Sequence, residues 1–96
     1  MKFTRPAITP GPWRLSEENN VWSDNGERIC NTCPPPHGSP ETNAQAIAAV
    51  PQMMEALELA LIRLDELDHL TGGDHLSTAT KDEIVSALQS AGYTFP

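Results

Sequence analysis

Cys30-x-x-Cys33, with His37 four residues later, is the spacing most suggestive of bound metal. Zinc takes four nitrogen or sulfur ligands in a tetrahedron, and these three stand close together. The fourth would have to come from His69 or His75, far along the chain, and a second CxxC pair is absent. The competing reading places Cys30 in a sheet core and Cys33 at its end, since free cysteine behaves as a small buried hydrophobe. A thioredoxin-like role needs a helix N-terminus to lower a thiol pKa, and Pro34-Pro35-Pro36 directly follow the pair. Cys30, Cys33 and His37 therefore stand as metal candidates for a small zinc-binding module, while the leading expectation is that the chain holds no cofactor.

Trp13 and Trp22 form a second constellation, lying close to Arg14 and Arg28. An indole face can stack on a base or on a guanidinium, and neighbouring cations can meet phosphates or carboxylates. Arg63 is a further candidate cation for such a ligand site. On strands the two tryptophans can share a face or lie on opposite faces, and the sequence leaves both open. Trp13 has a purely structural alternative as the anchor of a small core, because aromatics supply much of the burial in a domain with few of them.

Acid–base and nucleophilic chemistry find little support. There is no G-x-S-x-G elbow and no Walker or Rossmann glycine pattern. His37, His69 and His75 fall in or beside expected loops, and Asp74-His75 reads as a solvated turn in preference to a catalytic pair. No catalytic residue is assigned, and the chain is expected not to be an enzyme. Glu55, Glu58, Asp65, Glu66 and Asp68 on one helical stretch could mimic a phosphate ladder. The outer side of an amphipathic helix is charged in any case, and Arg63 interrupts the row.

Bulk properties set limits on partners. Ninety-six residues make one domain at most, with a modest core. Thirteen acidic against six basic residues leave a net charge of −7, which disfavours a broad phosphate-binding face. Direct nucleic-acid binding is not expected, although a local cationic patch is compatible with this balance. No apolar run approaches the ~20 residues of a membrane span, and the first residues have no hydrophobic signal region. Two cysteines three apart suit a reducing compartment better than a disulfide framework.

The elements that position these residues can be sketched. Residues 1–12 read as an extended arm, because Pro6, Pro10 and Pro12 block helix formation. Residues 13–33 read as a meander of about three strands, turning at Asn19-Asn20 and again at Asp24-Asn25-Gly26. Asn-Gly suggests a type I′ hairpin for the second turn. Residues 34–39 are a stiff proline-rich connector. Ser39-Pro40-Glu41 is a helix start, with Ser as N-cap, Pro in the first position and an acid in the first turn.

A helical segment spans 40–70, and Pro51 should kink it or break it near Val50. At ~100° per residue, Met53, Met54, Leu57, Ala60, Leu61, Leu64 and Leu67 fall within an arc of roughly 140°, the expected core face covering Trp13 and the sheet. Leu59, Ile62 and Leu70 lie on the other side, so this helix should have two neighbours, the second being either the C-terminal helix or another subunit. Paired glycines make 71–79 a loop. Thr80-Lys81-Asp82-Glu83 has capping-box spacing and opens a C-terminal helix over 80–92. The sum is a single α+β domain over 1–96: a small N-terminal antiparallel β-meander packed on a long helix, plus a shorter C-terminal helix.

Two stretches carry a family resemblance. Thr9-Pro10-Gly11-Pro12-Trp13, with Asn43-Ala44-Gln45-Ala46-Ile47-Ala48-Ala49-Val50-Pro51 running on to Glu55-Ala56-Leu57, resembles short, uncharacterised phage and prophage proteins. Those have TPGPW near the start and an NAxxIAAxPxxxEAL helix, and the resemblance covers roughly residues 9–60. It differs at Gln45, where many relatives carry a basic residue, and at Met53-Met54, where they carry leucines. The resemblance implies a phage accessory protein made in the host bacterial cytoplasm, with no catalytic residue to transfer. The expected function is a small homo-oligomeric binding protein that modulates a host process, in one form by counteracting antiphage defence through a host protein. The alternative is a sponge that sequesters a small cyclic nucleotide signal.

Overall fold

The computed structural model describes residues 2–16, 18–32, 39–72 and 75–96, without the side chains of 71 and 75–77. Cys33, His37, Asp74 and the proline-rich connector lie outside the described residues, as does the side chain of His75. Strands β1 (Trp13–Leu15), β2 (Asn20–Ser23) and β3 (Arg28–Asn31) are followed by helices α1 (Pro40–Ala48), α2 (Val50–Thr71) and α3 (His75–Ser90). The architecture is α+β, with a three-stranded antiparallel sheet in the order β1-β2-β3.

The residues group into two compact units, one of 8–53 and one of 1–7 with 54–96. In the first, the two turns of the meander are built from local chemistry. Asn19 takes a left-handed φ of 58°, a conformation asparagine tolerates because its side chain is short and polar. The β2–β3 turn departs from the type I′ expectation. Asn25 is not in the left-handed region; Gly26 is, at φ 85°. The Gly26 amide bonds to the Ser23 carbonyl at 3.1 Å and the Ser23 amide to the Glu27 carbonyl at 2.8 Å. This is a three-residue loop closed by a left-handed glycine, the next commonest solution after the two-residue hairpin.

Helix α1 starts as its sequence dictates. Ser39 is extended at φ −123° and its hydroxyl accepts from the Thr42 amide at 3.0 Å, with Pro40 in the first turn, where its missing N–H costs nothing. Its small residues let it lie close on the sheet: α1 packs on β1 and β2, and Ala44 is fully buried. Pro51 resolves as a break. Ala49 caps α1, and α2 begins at Val50 so that Pro51 falls in a first turn. The contact of Pro51 with Gly11 is close. A β-carbon on Gly11 would stand 2.7 Å from Pro51 Cβ.

The second unit is built on α2 and α3. Leu61, Leu88 and Tyr93 are buried, with Phe3, Met54, Leu57, Ile84, Val85 and Phe95 packed around them. Each fully buried leucine contributes about 1.5–3 kcal/mol relative to exposure. The Met54–Leu57–Leu61 side of α2 therefore faces α3 and the chain ends, while the helix against the sheet is α1. Met53 and Leu67, expected in the core arc, are about half exposed. Helix α3 begins at His75, five residues before the expected capping box, so Thr80 and Lys81 sit inside it. The arm is split: Thr4 pairs with Thr94 in an isolated antiparallel bridge, tying residues 1–7 to the C-terminus.

Candidate functional site

Pairing register decides where the aromatic and cationic side chains point. In β1–β2, Trp13 stands opposite Ser23, Arg14 opposite Trp22 and Leu15 opposite Val21. Directly paired residues project to the same face, and successive residues to opposite faces. Trp13 and Trp22 are therefore on opposite faces. Trp13 shares the α1 side with Val21 and Ser23, both buried, and its indole N–H donates to the Thr9 carbonyl at 3.0 Å. It is half-buried on that side of the sheet.

Trp22 faces out, 36% exposed, between two arginines. Arg14 is its partner on β1 and Arg28 its partner on β3. The second pairing depends on an irregularity that the sequence did not signal. Val21 pairs with Cys30 and Trp22 with Arg28, leaving Ile29 as an extra residue on β3. Without that bulge Ile29 would stand beside Trp22. Bulges re-aim side chains in this way. The result is a row across three strands, Arg14–Trp22–Arg28, on the open face of the sheet. Arg14 Nε lies 2.7 Å from Asp24 Oδ1, which orients one guanidinium. Among the described residues no carboxylate pairs with Arg28. An indole flanked by two arginine positions has the residue types for stacking and for charge-assisted hydrogen bonds.

The other sequence candidates disperse. Cys30, as the partner of Val21, lies on the α1 side and is a half-buried free thiol. Among the described residues no group of three or more His, Cys, Asp or Glu could hold a metal ion. Arg63 is on α2, in the other compact unit, and exposed. The acidic row on α2 is not a free ridge. Asp65 and Asp68 are bonded to Lys81 of α3, at 3.3 Å and 2.5 Å. The nearby Asp68 carboxylate raises the Lys81 pKa.

Glu58 is turned inward, and this cluster was not anticipated. Its carboxylate is buried, accepting from Arg5 Nε at 2.5 Å and 3.1 Å and from the Tyr93 hydroxyl at 2.8 Å. Phe3 stacks at a tilt on Tyr93 and Phe95, with centroids 5.7 Å and 5.8 Å apart. Burial, then the hydrogen bond to Glu58, pushes the Tyr93 hydroxyl up to about 12. The only sequence hint was a glutamate at helical spacing from Met54 and Leu61, on an otherwise apolar flank. The Glu58 carboxylate is paired with groups from both ends of the chain, and Arg5 at its edge is exposed to solvent, so the cluster reads as a fastening of the chain ends.

A short strand meander with an arginine–tryptophan–arginine row on one face, followed by three helices, makes this a small α+β protein. The chain belongs to the family of Salmonella phage P22 protein Y8K6, which it matches over residues 1–91. The match runs through α3, beyond the residues 9–60 that carry the resemblance noted above. No curated protein and no solved structure matches the chain. Among the described residues no helix is long and apolar enough to cross a membrane.

Proposed function

We propose that this phage protein is a non-enzymatic binding protein that acts in the host cytoplasm on a host protein, modulating a host process such as antiphage defence. The observation that supports this is the Arg14–Trp22–Arg28 row on the open sheet face. Tryptophan and arginine are the residues most enriched at the energetic centres of protein interfaces. Trp22 lies on the face away from α1 with an arginine at each paired position, and binding is the simplest use for that combination. Arg14 is paired with Asp24, which leaves Arg28 as the net positive charge of the row on a chain of net charge −7, and that charge favours an acidic group on the partner.

The same three residues support the second reading, a sponge for a cyclic nucleotide, in which Trp22 stacks the base and the arginines meet phosphate. An open sheet face favours a protein over a small ligand, because small-molecule sites are concave. The two are separated by plating phage that carry the wild type or Trp22→Ala on hosts with defined defence systems, together with thermal-shift screening against cyclic nucleotides and ADP-ribose derivatives. Loss of plating advantage in Trp22→Ala without any ligand shift supports a protein target. A shift with one nucleotide that disappears in Trp22→Ala supports the sponge. Equal behaviour of wild type and Trp22→Ala in both assays removes this face from the function. The zinc alternative, through Cys30 with Cys33 and His37, is tested by elemental analysis of purified protein.

A further inference from the structure

Helix α2 carries a second surface, independent of the sheet face. Leu59 and Leu70 are 53% and 84% exposed, and Arg63 and Glu66 between them are exposed as well. At 100° per residue these four lie within an arc of about 60°, one seam of the helix, at the 4-3-4 spacing of alternating coiled-coil core positions. Among the described residues neither Arg63 nor Glu66 is in an ion pair. The core side of the same helix is engaged with α3, so the seam is not part of the interior.

The order along the seam is self-complementary. About the midpoint between Leu64 and Asp65, Arg63 and Glu66 stand equally far out, and so do Leu59 and Leu70. A second α2 laid antiparallel on the first, related by a two-fold axis at that midpoint, brings Arg63 against the partner's Glu66 twice and Leu59 against the partner's Leu70 twice. Isologous two-fold interfaces require this property: residue i meets j while j meets i. A parallel arrangement would instead set arginine on arginine and glutamate on glutamate. We infer that α2 is the interface of an antiparallel homodimer, with two leucine layers enclosing a pair of reciprocal Arg63–Glu66 contacts. Charge order commits this face to a second copy of the chain: it matches itself, in one direction only. The seam is about 18 Å long, too short for a standard-sized interface, so the dimer is of the weak, reversible class.

The test is sedimentation equilibrium on the full chain as wild type, Arg63→Glu, Glu66→Arg and the double reversal, each checked for native helicity and urea midpoint. The wild type is expected to self-associate in the micromolar-to-millimolar range. Each single reversal replaces two attractive contacts by two repulsive ones and should raise the dissociation constant by about tenfold or more. The double reversal restores opposite charges across the axis and should return to within about threefold of wild type. A wild type that stays monomeric at millimolar concentration overturns the inference. So does a dimer indifferent to the single reversals, or a double reversal no tighter than either single one.

Discussion

Tyr93→Phe isolates one oxygen atom. The ring stays against Phe3, Leu61 and Leu88, and what goes is the hydroxyl that donates to Glu58 Oε1 at 2.8 Å. Glu58 keeps Arg5, but a buried carboxylate loses one of its two donor groups. Hydrogen bonds to a charged group contribute about 1.5–3 kcal/mol, so at neutral pH the variant should be less stable by roughly 2 kcal/mol. In a domain of this size that is a fall in Tm of roughly 8–15 °C. The pH dependence has a definite sign. The Tyr93 hydroxyl titrates at about 12 in the folded chain, against an ordinary value of 10. Between those values the unfolded chain has already released a proton that the folded chain retains, so stability falls as pH rises. The hydroxyl's full contribution is present below about pH 10, and on the order of 1–2 kcal/mol of it is lost by about pH 11–12. The phenylalanine variant has nothing to lose there, so urea midpoints of the two proteins should converge with rising pH. Tyr93 is the sole tyrosine of the chain, so tyrosinate absorbance reads it directly, native against urea-unfolded. Equal stability at neutral pH, a constant gap across the alkaline range, or a native titration at the unfolded value would each refute the account.

Leu61→Ala should cost about 3 kcal/mol by urea denaturation, because Leu61 is fully buried between Met54, Leu88 and Tyr93 and the site cannot collapse around alanine. Gly11→Ala should cost roughly 1–3 kcal/mol, since its β-carbon would stand 2.7 Å from a stiff proline ring at Pro51. Ser39→Ala removes the hydroxyl that caps α1 and should lower stability by about 1 kcal/mol, with Ser39→Thr largely restoring it. Trp22→Ala should lower stability in urea denaturation by about 1 kcal/mol, less than Leu61→Ala because the indole is partly exposed, while removing the biological effect.

Local signals were legible in the sequence wherever backbone chemistry alone decides. Ser39-Pro40-Glu41 starts a helix because hydroxyl, fixed φ and charge all act within one turn. Pro51 ends one because its ring and missing N–H act on the preceding turn. Asn19 marks a turn for an equally local reason. What was not legible depends on partners distant in the chain. The face Met54–Leu57–Leu61 has a clear apolar period, but period says only that something covers it; α3 and the chain ends do so, and the small residues of α1 take the sheet. Glu58 looked like another solvated carboxylate until Arg5 and Tyr93, from the two ends of the chain, met it. The early start of α3 was hidden by the paired glycines: Gly72 takes a left-handed φ of 80° just after α2, yet α3 begins already at His75.

The open face of the sheet shows the same limit in its sharpest form. Alternation along β2 placed Val21 and Trp22 on opposite faces, and that much is a property of any strand. The neighbours of Trp22 are set by register, and register here turns on one extra residue at Ile29. The loop at 24–26 closes on a left-handed Gly26, so β3 leaves the turn with its pairing already fixed by Ser23–Glu27. From that end Trp22 meets Arg28; from the other end Val21 meets Cys30; the two registers are reconciled only if Ile29 is left over. Deleting Ile29 should therefore remove the bulge and leave one continuous register, with Arg28 still opposite Trp22 and Cys30 still opposite Val21. Exchanging the two residues, Arg28→Ile with Ile29→Arg, should keep the bulge and set isoleucine beside the indole, changing the face from cation–aromatic–cation to cation–aromatic–aliphatic. Amide proton contacts across β2 and β3, read by NMR, report the register in each variant. Finding Trp22 opposite position 29 in the exchanged variant would show that side-chain preference, not the turn, sets the register.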